Sequence, residues 1–380
     1  HPPNRGGLTY KPMLKHRYTP DIKTSPVPDD YNLLIHYFDW WAESLDMKMP
    51  AYVWDRMVAA KQQAIDLDDR RNTPLDFSFG DFNFQILPNG AAGGKEFVLI
   101  SPDIRMEFAS RNRSFAVSWR ATAAGLWEHG LDRLVDQVFF ILEKEGFRPN
   151  QKYWRKLSRA DYAFDIEAAS FTNEMIPEIV HQIICPKEAK ARGDFFARSG
   201  RVETLTVGSK RGLQVQIYDK GLEITEMSGK TWMTDIWMNN GYSPETDKNG
   251  KEVHKNVWRL EVRMAGNWLK SRSKKTDDGV MNMKDPDHFI ANMWSLITEG
   301  LYSRRLTSRS ETDSNRRRWP LHPLYALAAA ACGHQTAFVP VGYHPTEKSK
   351  KLQDMLIANI AGTLRSLAVL RLRGALDEYG

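Results

Sequence analysis

Cysteine is nearly missing from this 380-residue chain, which has only Cys185 and Cys332. Two cysteines so far apart exclude a disulfide scaffold and a cysteine-based zinc site. No stretch approaches about 18 uninterrupted apolar residues, so no membrane-spanning helix is expected. The glycine-rich stretch 90–94 lacks a following Lys-Ser/Thr pair, so it reads as a turn rather than a phosphate-binding nucleotide loop. No basic-then-apolar leader follows His1. Because the sequence begins with His1, the native start is expected upstream, and a reducing cytoplasm is the expected location.

What is present is ordinary in bulk and uneven in detail. Hydrophobic residues make up 42% and charged residues 26%, which excludes wholesale disorder. The length suits two or three domains. The net charge of +6 is not spread evenly. Residues 301–380 carry twelve Lys/Arg against six Asp/Glu, while the preceding 300 residues balance. A basic end on a neutral body points to a polyanion such as nucleic acid, or to a solvated helical face.

Along the chain, residues 1–30 hold six prolines and read as an extended or disordered arm. Residues 31–70 read as two helices, with stripes at Leu33, Ile35, Phe38, Trp41 and Leu45, then Val53, Met57, Ala60 and Ala64. Over 71–150 the period changes to two. Phe77, Phe79, Phe82, Phe84 and Ile86 alternate with polar residues, and strands at 95–101, 104–110 and 114–122 precede an amphipathic helix over 130–145. A second such unit spans 151–303. It has a strand at 158–167, a helix near 173–185, a hairpin at 202–208 and 213–220, a loop-like insertion at 226–252, a strand at 254–264 and a helix at 286–303. Residues 304–380 read as a basic helical tail. The expected fold class is α+β: two tandem units of curved antiparallel sheet with helices on one face.

Three strands carry an unusual polar face. Side chains alternate along a strand, so the faces separate directly. In 158–167 Tyr162, Phe164 and Ile166 share one face, with Arg159, Asp161 and Asp165 on the other. In 214–220 Gln214, Gln216, Tyr218 and Lys220 oppose Val215 and Ile217. In 258–264 Arg259, Glu261 and Arg263 alternate with Trp258, Leu260, Val262 and Met264. Acidic residues are depleted in strands, so three of them ask for a reason. One is cross-strand ion pairing on a solvated face, such as Asp161 to Arg259. The other is convergence of carboxylates on Mg²⁺ or Mn²⁺, which polarises a phosphoryl oxygen. In that case Tyr218 is a suitable nucleophile, forming a phosphotyrosine ester. Its ordinary pKa of about 10 calls for activation, and Lys220 supplies positive charge on the same face. Tyr162 belongs to the apolar face and reads as core. Tyr153, Tyr242, Tyr302 and Tyr325 are lesser candidates for a second nucleophile.

At these residues the chain resembles the Rep_trans family. That family includes rolling-circle initiators of small Gram-positive plasmids, filamentous-phage-type initiators and MobT-type relaxases. The resemblance covers roughly 75–305. It rests on RADYAFDIE at 159–167, TLTVGSKRGLQVQIYDKGLE at 204–223 and WRLEVRM at 258–264. These match, in order, an R-x-D-x-x-x-D strand, a Gly-Ser turn leading to I-Y-x-K-x-x-E, and R-x-E-x-R. The resemblance implies a site-specific DNA nickase and strand transferase with Tyr218 as nucleophile and Lys220 and Glu223 completing its motif. It further implies Asp161, Asp165 and Glu261 as ligands of Mg²⁺ or Mn²⁺, Asp165 being the surer aspartate. The His-x-His metal pair of another nickase family does not occur here. Asp219 and Gly221-Leu222 vary the centre of the tyrosine motif, and the arm, first helices and tail match no part of the pattern closely.

The expected function is therefore initiation of rolling-circle replication or transfer, by nicking and rejoining one DNA strand through a 5′-phosphotyrosine intermediate. Lys220 and Arg259 would stabilise charge on phosphorus. Arg159, Gln214, Gln216, Arg263 and the run Arg316-Arg317-Arg318 would contact DNA. The expected DNA is single-stranded or an extruded hairpin at an origin. Host helicase and polymerase are further partners, along with other copies of the chain in a homo-oligomer. The alternatives are a non-catalytic origin-binding regulator and a hydrolytic nuclease in which water attacks.

Overall fold

The structure, a computed structural model, describes residues 23–67, 73–186, 191–196, 201–248, 250, 252–276 and 279–333. Most of the arm expected over 1–30, and residues 334–380 of the tail, lie outside the described residues. The described chain forms two α+β units of antiparallel sheet and helix. One lies within residues 38–156 and 230–236, the other within 23–37, 157–229 and 237–333.

In the first unit, the end of strand β1 (Tyr31–Leu45) is followed by helix α1 (Ala51–Asp66) and strands β2 (Leu75–Phe79), β3 (Phe82–Ile86), β4 (Lys95–Ile100), β5 (Ile104–Ala109) and β6 (Val117–Ala121). The sheet order is β1-β6-β5-β4-β3-β2, each neighbouring pair antiparallel. Phe79, Phe84, Phe97 and Phe108 are buried on the sheet, with Val53 and Met57 of α1. After α2 (Ala123–His129), helix α3 (Leu131–Lys144) buries Leu134, Val138 and Ile141, the stripe that its 3.6-residue spacing predicts. Each such side chain contributes roughly 1.5–3 kcal/mol by leaving water.

The second unit is built on β7 (Arg155–Ala168), β8 (Ala191–Phe196), β9 (Arg201–Gly208), β10 (Leu213–Asp219) and β11 (Val257–Ala265), in the order β8-β9-β10-β11-β7. After β10 comes the one-turn helix α4 (Lys220–Glu223); of the helix that follows, α5 (Trp232–Asn239), residues 237–239 belong to this unit and 232–236 to the first. Helices α6 (Pro286–Ser303) and α7 (Pro323–Gly333) complete the unit. Tyr162, Phe164, Val215, Ile217, Leu260 and Val262 are all buried. Helix α6 lies close on this apolar face. A Cβ added at Gly300 would sit 2.8 Å from Val262, so the approach requires glycine.

Four expectations change. Residues 31–45 form a strand, not a helix. Leu34, Ile35, Tyr37 and Phe38 are buried on both faces, so the stretch reads as a continuous apolar run in which periodicity cannot separate helix from strand. Its Tyr, Ile, Phe and Trp content favours the pleat. The helix near 173–185 is reduced to short turns over Asn173–Gln182, then a two-residue strand, in a run rich in β-branched residues. The insertion at 226–252 is not simply loop: it contains α5 and a two-stranded ribbon of Glu245–Thr246 with Glu252–Val253. In the described part of the tail, α7 has no charged residue and buries Leu324, Tyr325 and Ala328, so it belongs to the folded unit.

Candidate active site

Register places the polar residues in rows across the second sheet. Thr204, Tyr218, Arg259 and Asp165 face one another across β9, β10, β11 and β7. The next row is Thr206, Gln216, Glu261 and Ala163, and the third is Gly208, Gln214, Arg263 and Asp161. The alternation read from sequence therefore brings the named side chains to one face.

Within that face the residues divide. A cleft of about 290 Å³ is lined by Gln216, Tyr218, Glu223, Glu261 and Arg263, together with Thr204, Asp219, Leu222, Glu226 and Met227. The Tyr218 hydroxyl donates to Glu261 Oε2 at 3.3 Å. Glu261 is 5% exposed, and its Oε1 lies 3.4 Å from Arg263 Nη2. Arg263 also donates to Gln214 Oε1 at 2.9 Å and reaches Asp161 at 3.3 Å. Gln216 donates to Thr206 Oγ1 at 3.1 Å. Lys220 is buried, 5.7 Å from the centre of the Tyr218 ring, and its ammonium pairs with Glu223 at 2.5 Å. The backbone turns sharply after the tyrosine, where Asp219 caps α4 by accepting from the Leu222 amide at 2.9 Å. Gly221 then passes so close to the His254 carbonyl that a Cβ would sit 2.0 Å from its oxygen. That contact accounts for glycine at a position where the motif varies.

Asp165 and Arg259 lie outside the cleft lining and are wholly buried. Arg259 Nε donates to Asp165 Oδ1 at 2.6 Å and Nη2 to Oδ2 at 2.9 Å. Trp237 Nε1 of α5 donates to the same Oδ2 at 2.9 Å. Arg259 Nη2 also donates to the Tyr37 hydroxyl. Asp161, 1% exposed, is held by Arg159 through Nε at 2.9 and 3.0 Å and through Nη2. The ion pairing thus joins Asp165 to Arg259, both fully buried, and Asp161 to Arg159 and Arg263, which stay partly exposed.

The three carboxylates do not fit a shared Mg²⁺ or Mn²⁺ in this arrangement. Asp161 and Asp165 stand four residues apart on one strand, roughly 13 Å at 3.3 Å per residue. Both carboxylates are engaged by guanidinium groups, and only Glu261 of the three lines the cleft. Among the described residues, the group of three or more carboxylate or imidazole side chains with ligand atoms within 4.8 Å of one another is Asp103, Glu128 and His129, in the first unit.

The remaining named residues lie elsewhere. Arg316, Arg317 and Arg318 form an exposed turn; Arg316 bonds the His181 carbonyl at 2.5 Å and Arg318 pairs with Asp313 at 2.8 Å. They do not line the cleft. Tyr162 is core: its hydroxyl meets His36 Nδ1 at 2.8 Å, and burial pushes its pKa up. Tyr242 donates to the Lys255 carbonyl and Tyr325 to the Arg304 carbonyl. Sequence reasoning missed Glu226, Met227 and above all Trp237. The signal for Trp237 was there: Trp232, Met233, Ile236 and Trp237 have helical spacing within a stretch otherwise rich in turn residues.

No protein-family model and no curated protein matches the chain. Among solved structures it is similar to the rolling circle replication initiator protein from Geobacillus stearothermophilus, with 13% identity and a TM-score of 0.41. That match covers 78% of this chain and 96% of the other.

Proposed function

We propose that the protein is a DNA replication initiator or relaxase that nicks and rejoins one strand through Tyr218. The observation that carries this reading is the Tyr218 hydroxyl set on the Glu261 carboxylate in an open cleft. A tyrosine that only filled space would have no need of a carboxylate acceptor on the polar side of a sheet. The distance of 3.3 Å is just beyond the ordinary range for a general base, and such contacts tighten when substrate binds.

Glu261 takes the phenolic proton as the tyrosine oxygen attacks phosphorus. A Tyr–O–P bond forms and the bond from phosphorus to the 3′ oxygen breaks. That oxygen receives a proton from Glu261 or solvent and leaves as a 3′ hydroxyl, while the 5′ phosphate stays on Tyr218. Rejoining is the reverse. Arg263 is the cation at the cleft that meets the phosphate oxygens. Lys220 acts from beneath the ring, where its positive charge favours the phenolate as the proton leaves. Arg259, locked between Asp165 and Tyr37, acts on the framework rather than on phosphate.

The test is a covalent-adduct assay with labelled single-stranded DNA tiled across the protein's own gene and flanks, with Mg²⁺ or Mn²⁺ supplied. Label should travel with the intact protein on a denaturing gel and not with Tyr218→Phe, which should still bind DNA. Cleavage without adduct would replace this reading with a hydrolytic nuclease. Binding with neither product would replace it with an origin-binding regulator.

A further inference from the structure

We infer that Trp237, at the end of α5, is a positioning residue for the reaction at Tyr218 rather than part of a surface insertion. This rests on the tyrosine reading above. The chain of contact is short. Trp237 Nε1 donates to Asp165 Oδ2, the same oxygen that receives Arg259 Nη2, while Arg259 Nε holds Oδ1. Arg259 stands directly opposite Tyr218 on one side and Asp165 on the other. Two residues further along β11 is Glu261, the acceptor of the tyrosine hydroxyl.

A charge pair removed from water is held in place only when its remaining polar atoms are also satisfied. Asp165, Arg259, Trp237 and Tyr37 are each 0% exposed, so no solvent can substitute for a lost donor. Trp237 and Tyr37 therefore clamp the pair from its two ends: the indole on the carboxylate, the phenol on the guanidinium. The clamp fixes β11 relative to β7 and β10 at the row that holds the nucleophile. Loss of either end lets the pair shift and moves Glu261 with respect to the Tyr218 hydroxyl. Neither clamp residue lines the cleft, so DNA binding there is spared.

The experiment measures adduct formation by the full chain as a function of DNA concentration, with far-UV circular dichroism on each variant. Trp237→Phe keeps an aromatic ring and removes the N–H; Tyr37→Phe is nearly isosteric and removes the hydroxyl. Each should lower the rate at saturating DNA about tenfold, since small misplacements of reacting groups are costly. The half-saturating DNA concentration should stay unchanged, and the double variant should fall less than the product of the single effects. A merely structural role would lower the melting temperature and leave the saturating rate alone. Wild-type rates in Trp237→Phe would overturn the inference. If Trp237→Phe fails to fold, a wild-type rate in Tyr37→Phe would overturn it equally. Failure of the tyrosine reading appears separately, as an adduct that survives Tyr218→Phe or is missing from the intact protein.

Discussion

Asp165 and Arg259 face each other across β7 and β11 and form a two-point ion pair from which solvent is wholly excluded. Breaking such a pair by removing one partner leaves a bare buried charge, which costs about 3–5 kcal/mol. Asp165→Ala should therefore lower the free energy of unfolding in urea by that amount. Replacing both, as Asp165→Leu with Arg259→Met, should cost less than the single change, because no charge is left stranded. A single variant as stable as the intact protein would contradict the pair's burial.

Glu261 has a different part in the proposed reaction, since its carboxylate accepts the Tyr218 hydroxyl. Glu261→Gln keeps the shape and cannot take the proton. General-base removal typically costs 10²–10⁴-fold, and adduct formation should slow by about that factor. DNA affinity should hold or rise, since one negative charge leaves the cleft. Rapid-quench adduct assays and fluorescence anisotropy measure the two separately. An unchanged rate would assign the proton to another acceptor.

A metal titration would separate the carboxylates further. In Mn²⁺ titrations followed by electron paramagnetic resonance, Asp165→Asn should match the intact protein, because both of its oxygens are already engaged by Arg259 and Trp237. Loss of bound Mn²⁺ in that variant alone would return Asp165 to the ligand set.

Strand alternation made the polar face legible: Tyr218, Glu261, Gln216 and Arg263 needed only a period of two and shared membership of one sheet. Which carboxylate meets which cation was not legible, because it depends on register between strands about ninety residues apart in sequence. Arg259 proved to oppose Asp165, not Asp161. Strand β1 was misread for a related reason. Its first half is covered on both faces, and Glu43 in its second half is a buried acid satisfied by Arg155 at 3.0 Å and by the Trp41 indole at 2.8 Å. Neither partner is visible from a hydrophobicity pattern. The insertion hid its helix, since turn residues surround the segment that carries Trp237.

His322 gives the second unit an acid-sensitive element. It is almost fully buried against the edge of Phe171, and desolvation pushes its pKa down from 6.5 to about 4. The unfolded chain thus binds a proton that the folded chain refuses between about pH 6.5 and 4. This contribution to stability is complete above the unfolded value and is lost as pH falls toward the folded one, an upper bound of about 3 kcal/mol at 1.36 kcal/mol per pKa unit. Urea midpoints measured across this range should slope upward with pH, and His322→Gln should flatten the slope. An identical slope in the variant would place the acid sensitivity elsewhere.

Gly221 connects backbone geometry to the site. A side chain there would begin 2.0 Å from the His254 carbonyl oxygen, which belongs to the backbone and cannot rotate away. Gly221→Ala must therefore push α4 off its seat, at a cost of about 1–3 kcal/mol typical of overpacking. The displaced turn carries Lys220 and Glu223, and it begins one residue after Asp219, whose carboxylate caps it. Tyr218 sits at the other side of that cap. Adduct formation should fall well beyond what the stability loss explains, because α4 supplies both the charge beneath the tyrosine ring and part of the cleft wall. Comparing Gly221→Ala with a surface variant of equal melting temperature isolates the effect. Equal adduct rates in the two would show that the turn after Tyr218 tolerates displacement and that the nucleophile is positioned by its strand alone.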